Sequence, residues 1–200
     1  MKIIKISSNK DLEPTDEMIS VYEERTNRHI DLVRKYCDKI IEYDEDRFGE
    51  LEGRKKVHDD SKFEEPEYTP YIYITWKYRC QDNGGDFEEC NPPENLSEIM
   101  DEATIHHVTT NSHHPEYHDK EADPNLIINK ENRDQPPTIK INATSMPDID
   151  IAEMVADWCS VSEERGNTPK SWADKNVGVR WEFSEDQKEL IYELIDAIWE

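Results

Sequence analysis

A histidine and an aspartate stand side by side at positions 58 and 59, in the run His58-Asp59-Asp60-Ser61-Lys62-Phe63. An imidazole and a carboxylate on adjacent residues can both bind one divalent cation. Lys62 lies four residues after His58, one helical turn on, where its ammonium can neutralise a phosphate held beside the cation. We therefore predict a metal site here, with Asp59 and Lys62 as its catalytic residues. The alternative for Lys62 is a surface pair with Glu65 or Glu67.

Two further residues can complete that metal site. His29 lies on or beside the apolar stripe of a predicted helix, so it points inward. Asp157 shares a helix face with Met154 and Val161 and should also face the core. A buried carboxylate needs a partner, which a cation, an arginine or a histidine can supply. We predict that His29 and Asp157 join the His58-Asp59 pair as metal ligands.

Five of the seven histidines fall between positions 106 and 118. His107 and His114 are seven residues apart, two turns along one helix face, and Asn111 lies between them. We predict that these two histidines bind a second ion or contact substrate. His106, His113 and His118 point elsewhere. Of these, His113 is assigned to substrate binding together with Asn111 and Lys62. The alternative for all three is a solvated, pH-sensitive surface.

The composition favours one ordered domain over residues 1–200, with a core of about 16–200. Apolar residues make up only 34% of the chain and charged residues 36%, a balance that alone would suggest disorder. Five Trp, nine Tyr and several amphipathic runs favour an ordered domain instead.

The net charge of −23 limits the classes of partner. So acidic a surface repels duplex nucleic acid and anionic membranes, and no basic stripe offsets it. No apolar run is long enough to span a bilayer or to act as a signal peptide, which predicts a cytoplasmic protein. Cys80 and Cys90 flank a polar loop and could form a disulfide, although no secretion signal supports one.

Hydrophobic periodicity predicts a mostly α fold. Polar inserts of about 81–95 and 115–147 separate the helices. Residues 71–76 could pass for a strand on propensity alone. The predicted helices cover about 16–43, 55–63 continued as 67–79, 95–114, 147–166 and 184–198.

The order His29, His58-Asp59, Asp157 on successive helices resembles the HD superfamily of metal-dependent phosphohydrolases. More narrowly, the chain resembles an uncharacterised HD-like family of bacteria and phages with the patterns HDxSKF, HxxxNxHH and EMxxDW. The matching segments begin at His58, His107 and Glu153. Trp172 fits the part of the family pattern that follows the third segment. The resemblance covers about residues 20–200. Pro115 stands where that family often has an aromatic residue, and the polar inserts look longer than usual.

The resemblance implies an HD-like helical bundle that hydrolyses phosphate esters, often those of nucleotides. One or two divalent ions (Mn, Co, Fe, Zn or Mg) would activate a water molecule, and the partner would be a small phosphorylated substrate. Two alternatives stay open. Some HD-type proteins hold two irons, oxidise carbon with dioxygen and also carry a His-Asp-x-x-Lys stretch. A strongly acidic, phage-like protein could instead be a metal-stabilised binding protein without turnover.

Overall fold

The computed structural model describes residues 13–85, 94–130 and 135–199. Within these ranges the chain is mostly α-helical, as predicted, with two 3-10 turns at Asp60–Phe63 and Pro115–His118. Two short parallel strands, β1 (Ile141–Asn142) and β2 (Trp181–Glu182), pair with each other. The helices are α1 (Asp16–Tyr43), α2 (Glu45–Phe48), α3 (Leu51–Arg54), α4 (Tyr68–Asp82), α5 (Leu96–Thr110), α6 (Asp148–Arg165), α7 (Pro169–Asn176) and α8 (Glu185–Ile198).

Local sequence sets the ends of the long helices. The Thr15 side chain caps α1 by accepting a hydrogen bond from the backbone N–H of Met18. Gly166 ends α6 in the left-handed conformation (φ 67°), which glycine adopts without steric cost. Ser184 and Gln187 form a capping box at the start of α8.

Two apolar clusters hold the helices together, and His29 lies between them on α1. Residues near the start of α1 (Met18 and Tyr22) pack with α4 and α5 in the smaller cluster. Residues from Val33 to Ile40 belong to the larger cluster, which α6 and α8 complete. The middle of α1 is therefore fixed from both sides, and this places the His29 side chain rigidly within the fold.

The predicted helix over 55–63 is wrong. Helix α3 ends at Arg54, turns follow, and a 3-10 turn begins at Asp60. Asp59 has a φ of 62°, in the left-handed region, which interrupts any α-helix at this point. The strand alternative for 71–76 is also wrong, because these residues lie within α4.

Three further differences concern the polar regions. Helix α5 ends at Thr110 rather than near residue 114, so His113 and His114 follow it in a turn. Helix α7 was not predicted. The insert at 115–147 contributes β1, which pairs with β2 far along the chain.

The cysteine and membrane predictions have these outcomes. Cys37 and Cys159 are fully buried. Cys90 lies outside the described residues, so a pairing with Cys80 stays a prediction. Among the helices of the described ranges, none has both the length and the apolar character needed to cross a membrane.

Candidate metal centre

The structure brings the four predicted ligands of the first site together. His29 comes from α1, Asp157 from α6, and the His58-Asp59 pair from the turns that follow α3. His29 Nε2 lies 3.0 Å from Asp157 Oδ1 and 3.4 Å from Asp59 Oδ2. His58 Nε2 lies 3.6 Å from Asp59 Oδ2 and 4.0 Å from Asp157 Oδ1. The donor atoms of His29, His58 and Asp59 all lie within 4.8 Å of one another, and Asp157 adjoins the two histidines.

A second group of donors lies on the other side of Asp59. His107, His113 and His114 each offer a ring nitrogen within 4.8 Å of the others. His107 Nε2 and His113 Nε2 lie 3.5 and 3.7 Å from Asp59 Oδ1. Asp59 therefore turns one carboxylate oxygen toward each group, and it is 1% exposed.

His113 belongs to this buried group, which corrects the prediction that it points away. Its ring packs 4.3 Å from the ring of His58 and 4.3 Å from that of His114, measured between centroids. The error follows from the helix end: because α5 stops at Thr110, helical spacing does not apply to positions 113 and 114. His114 still reaches the site, with its ring centroid 4.7 Å from that of His107.

Several donor atoms of the two groups are buried without a hydrogen-bond partner among the described residues. These atoms include His58 Nε2, Asp59 Oδ1 and His114 Nε2. A buried polar atom without a partner costs about 1–3 kcal/mol, and native proteins contain few of them. Two such imidazole nitrogens and one such carboxylate oxygen in the same site fit a cation. The chain therefore has buried histidine and carboxylate clusters that could hold a metal ion.

The opposite ring nitrogens of these histidines are held by other side chains. His58 Nδ1 donates to Glu153 Oε1 at 2.8 Å, and His107 Nδ1 donates to Glu67 Oε2 at 2.9 Å. A hydrogen bond of 3.1 Å joins His29 Nδ1 and Ser160 Oγ. Metal-binding histidines commonly have such a partner, which leaves the Nε2 lone pair free for the ion.

Glu153 and Glu67 are the site residues that the sequence prediction missed. Glu153 lies four residues before Asp157, so the two share one face of α6, and this spacing was available as a signal. Arg54 holds the second oxygen of Glu153 through a contact of 2.6 Å. Glu67 is fully buried at the start of α4, and no spacing in the sequence distinguishes it from neighbouring acids.

The charges of the first group favour a cation. Burial tends to raise the pKa of Asp157, but the hydrogen bond and charge of His29 lower it to about 2. Burial would likewise raise the pKa of Asp59, yet Lys62 and His58 hold it well below its usual range. Burial lowers the pKa of His29, and hydrogen bonds to Asp157, Asp59 and Glu164 outweigh that effect and raise it to about 10. The carboxylates around His29 thus attract positive charge.

Two imidazoles of the second group, those of His113 and His114, are neutral. Burial, reinforced by the neighbouring histidines, holds the pKa values of His113 and His114 well below the ordinary value. A neutral ring keeps a lone pair that a metal can accept. His113 and His114 thus offer neutral nitrogen donors, and Asp59 supplies the negative charge.

Lys62 and Asn111, both predicted to contact substrate, lie beside the site. Lys62 Nζ is 2.5 Å from Asp59 Oδ2, so the alternative pairing with Glu65 or Glu67 is not what the structure shows. The Tyr22 hydroxyl donates to the Lys62 carbonyl at 2.7 Å and fixes its backbone. Asn111 Nδ2 donates to the His107 carbonyl and to Ser61 Oγ, which makes it a support for the turn.

The remaining histidines are bound to neighbours outside the two groups. A hydrogen bond of 2.7 Å joins His106 Nδ1 to Glu67 Oε1. His118 Nε2 donates to the Ser112 carbonyl at 2.8 Å. Neither residue belongs to the clusters around Asp59.

A cavity of about 350 Å³ includes His114 and Asp157 in its wall, one residue from each group. Three tryptophans and three basic residues are also part of its wall. A larger cavity of about 820 Å³ lies between α1, α4 and α6, but none of the candidate ligands lines it. The smaller cavity therefore offers a path to the candidate centre.

One comparison with known proteins gives a match. The sequence model of a protein family, described as a family of unknown function (DUF5662), matches residues 18–197. The chain belongs to this family. No curated protein and no solved structure matches it. The family's description gives no activity, so any function has to be argued from the site itself.

Proposed function

We propose that this family member is a metal-dependent phosphohydrolase that acts on a small phosphate ester, with nucleotides as the leading class. The observation that carries the proposal is the convergence of buried, unpartnered imidazole and carboxylate atoms around Asp59, with the Lys62 ammonium beside them. The resemblance of the motifs at His58, His107 and Glu153 to the HD superfamily supports the same reaction class.

The donor set indicates which ion would bind. His29, His58, Asp59 and Asp157 would hold a first divalent ion, and His107, His113 and His114 with the other oxygen of Asp59 would suit a second. Sites this rich in imidazole favour Mn, Fe, Co or Zn over Mg, which prefers oxygen ligands. When bound, such an ion lowers the pKa of a water molecule and polarises a phosphoryl oxygen.

The chain's own residues would prepare this chemistry. Lys62 supplies a positive charge next to Asp59, where it can neutralise a phosphoryl oxygen of the substrate. Glu153 and Glu67 keep His58 and His107 in the orientation that directs Nε2 inward. Burial of His58, Asp59, Glu67, His107 and Glu153 keeps bulk water away from them and strengthens their interactions.

The test combines elemental analysis with a substrate panel. The purified protein is expected to contain a transition metal and to hydrolyse phosphomonoesters or nucleotides when Mn²⁺ or Co²⁺ is added. Asp59→Asn should abolish both metal content and turnover while the circular dichroism spectrum is retained. Asp31→Asn, the same change at an exposed position, is the matched control and should behave as wild type.

Two outcomes would oppose the proposal. If no divalent metal binds the folded protein, the central claim fails. If metal binds and no phosphate ester is cleaved, a non-catalytic metal-stabilised protein becomes the better description.

A second candidate function is a di-iron oxygenase. The position of Asp59 between the two histidine groups favours it. The two oxygens of Asp59 face separate histidine groups, an arrangement that would place two ions close together. This reaction predicts bound iron and substrate-dependent oxygen uptake. An iron-free protein that cleaves phosphate esters would exclude it.

A further inference from the structure

The cavity beside the candidate centre is elongated along α6. Asp157, Trp158, Val161, Ser162 and Arg165 all line it, so one face of this helix forms a continuous wall. Asp157 and Arg165 are eight residues apart, which corresponds to about 12 Å along a helix axis. The wall thus begins at a candidate metal ligand and ends at a cation.

The wall of this cavity carries basic side chains in a strongly acidic protein. Arg165 and Lys175 are both exposed and line the same cavity from α6 and α7. Within the described part of the chain, neither makes an ion pair, although acidic residues outnumber basic ones by 47 to 24. Such unpaired cations on a concave surface favour an anionic ligand.

Three tryptophans and two valines form the apolar part of the wall, and the Arg180 guanidinium lies over the Trp172 and Trp181 rings. Trp158 stacks on Trp181 with a centroid distance of 5.5 Å, and Trp172 meets Trp181 edge-on at 6.4 Å. Val108 and Val161 add aliphatic surface. A flat organic group fits such surroundings better than a flexible polar chain. The volume of about 350 Å³ suits one small molecule rather than a polymer.

We propose that this cavity binds a substrate with two anionic ends joined by a flat, apolar portion. The reacting phosphate would lie at the candidate metal centre, and a second oxyanion, a carboxylate or a phosphate, would bind Arg165 or Lys175 in the cavity wall. Only the identity of the reacting end rests on the proposed phosphohydrolase function. The side chains of Asp157 and Arg165 both extend from α6 into the cavity. A ligand between them is therefore shorter than the distance of about 12 Å between their positions along the helix.

The experiment uses phosphonates, whose carbon–phosphorus bond resists hydrolysis, so binding is measured without turnover. The three ligands are 4-methylphenylphosphonate, 4-carboxyphenylphosphonate and 1,4-phenylenebisphosphonate. Calorimetric titration of the full-length protein with added Mn²⁺ should show about tenfold tighter binding of at least one ligand with a second anion. The preferred ligand distinguishes a carboxylate from a phosphate as the second anion.

The variant Arg165→Gln/Lys175→Gln should lose this preference and bind all three ligands alike. Both residues are exposed, so the variant should fold. Lys170→Gln on the same helix as Lys175 lies outside the cavity wall and should keep the preference. Equal affinity of the wild-type protein for all three ligands overturns the inference, even if phosphate esters are hydrolysed. A preference that depends on Arg165 and Lys175 supports it, even if hydrolysis is absent.

Discussion

At the candidate centre, the orientation of a histidine ring depends on the side chain that binds its Nδ1 atom as much as on the donor atoms near its Nε2 atom. Glu153 contacts His58 on one side and Arg54 on the other. Burial tends to raise the pKa of Glu153, but His58 and Arg54 lower it, so it stays ionised and keeps accepting their hydrogen bonds. The orientation of the imidazole therefore depends on a residue that need not touch the ion.

Glu153→Gln is expected to weaken metal binding about 10- to 100-fold without unfolding the protein, because loss of an orienting carboxylate has effects of that size. Competition with a chromogenic chelator measures the affinity. Glu163→Gln, on the same helix, is the control: Glu163 pairs with Lys35 at an exposed position and should leave the affinity unchanged. Equal affinities for wild type and Glu153→Gln would show that Glu153 does not orient His58.

Glu116 should make stability depend on pH. Burial raises its pKa above the ordinary 4.5, against the opposing effect of the Trp181 Nε1–H hydrogen bond. At pH values between the pKa of Glu116 in the unfolded state and its higher pKa in the folded state, the folded protein keeps a proton that the unfolded protein has released. The free energy of unfolding therefore falls as the pH rises through this window.

Glu116→Gln keeps the acceptor for Trp181 and removes the titration, so its stability should lack this fall. Urea unfolding of both proteins from about pH 4 to 8, with metal held constant, makes the comparison. A difference between the two proteins that stays constant across the pH range would contradict this account of Glu116.

Among the elements, amphipathic periodicity located α1, α6 and α8 well, because each presents one apolar face to a shared core. Periodicity could not predict three other features: the turn around Asp59, helix α7 and the pairing of β1 with β2. They depend on contacts between distant segments rather than on a local repeat. The ligands on long helices were accordingly predictable, whereas the orientation of His113 was not.

Leu194→Ala in α8 should lower the free energy of unfolding by about 2–5 kcal/mol, because it leaves a cavity in the larger cluster. Leu126→Ala makes the same change at a side chain that is 43% exposed, and it should cost far less. Chemical denaturation measures both. Since α8 carries no candidate ligand, metal affinity of the folded Leu194→Ala protein should stay at the wild-type value. Similar losses for both variants would contradict the assignment of Leu194 to the core.

At the scale of the whole molecule, the net charge of −23 opposes compaction through mutual repulsion. Raising the salt concentration from about 0.05 to 0.5 M shortens the screening length and should raise the melting temperature. Calorimetry in NaCl and in KCl, each at a fixed metal concentration, tests this. The two salts should act alike, because screening depends on ionic strength. A melting temperature that falls with salt would show that attractive ion pairs dominate over repulsion.

The left-handed backbone conformation at Asp59 also affects which substitutions the protein can accept during evolution. Asparagine and glycine tolerate a φ near 62° better than most residues, and each is one nucleotide away from an aspartate codon. A single point mutation can therefore remove the shared carboxylate while leaving the chain free to fold. Descendants that keep this architecture and lack this carboxylate differ from the present chain by as little as one nucleotide. The residue at position 59 is the first to inspect in any relative before an activity is assigned to it.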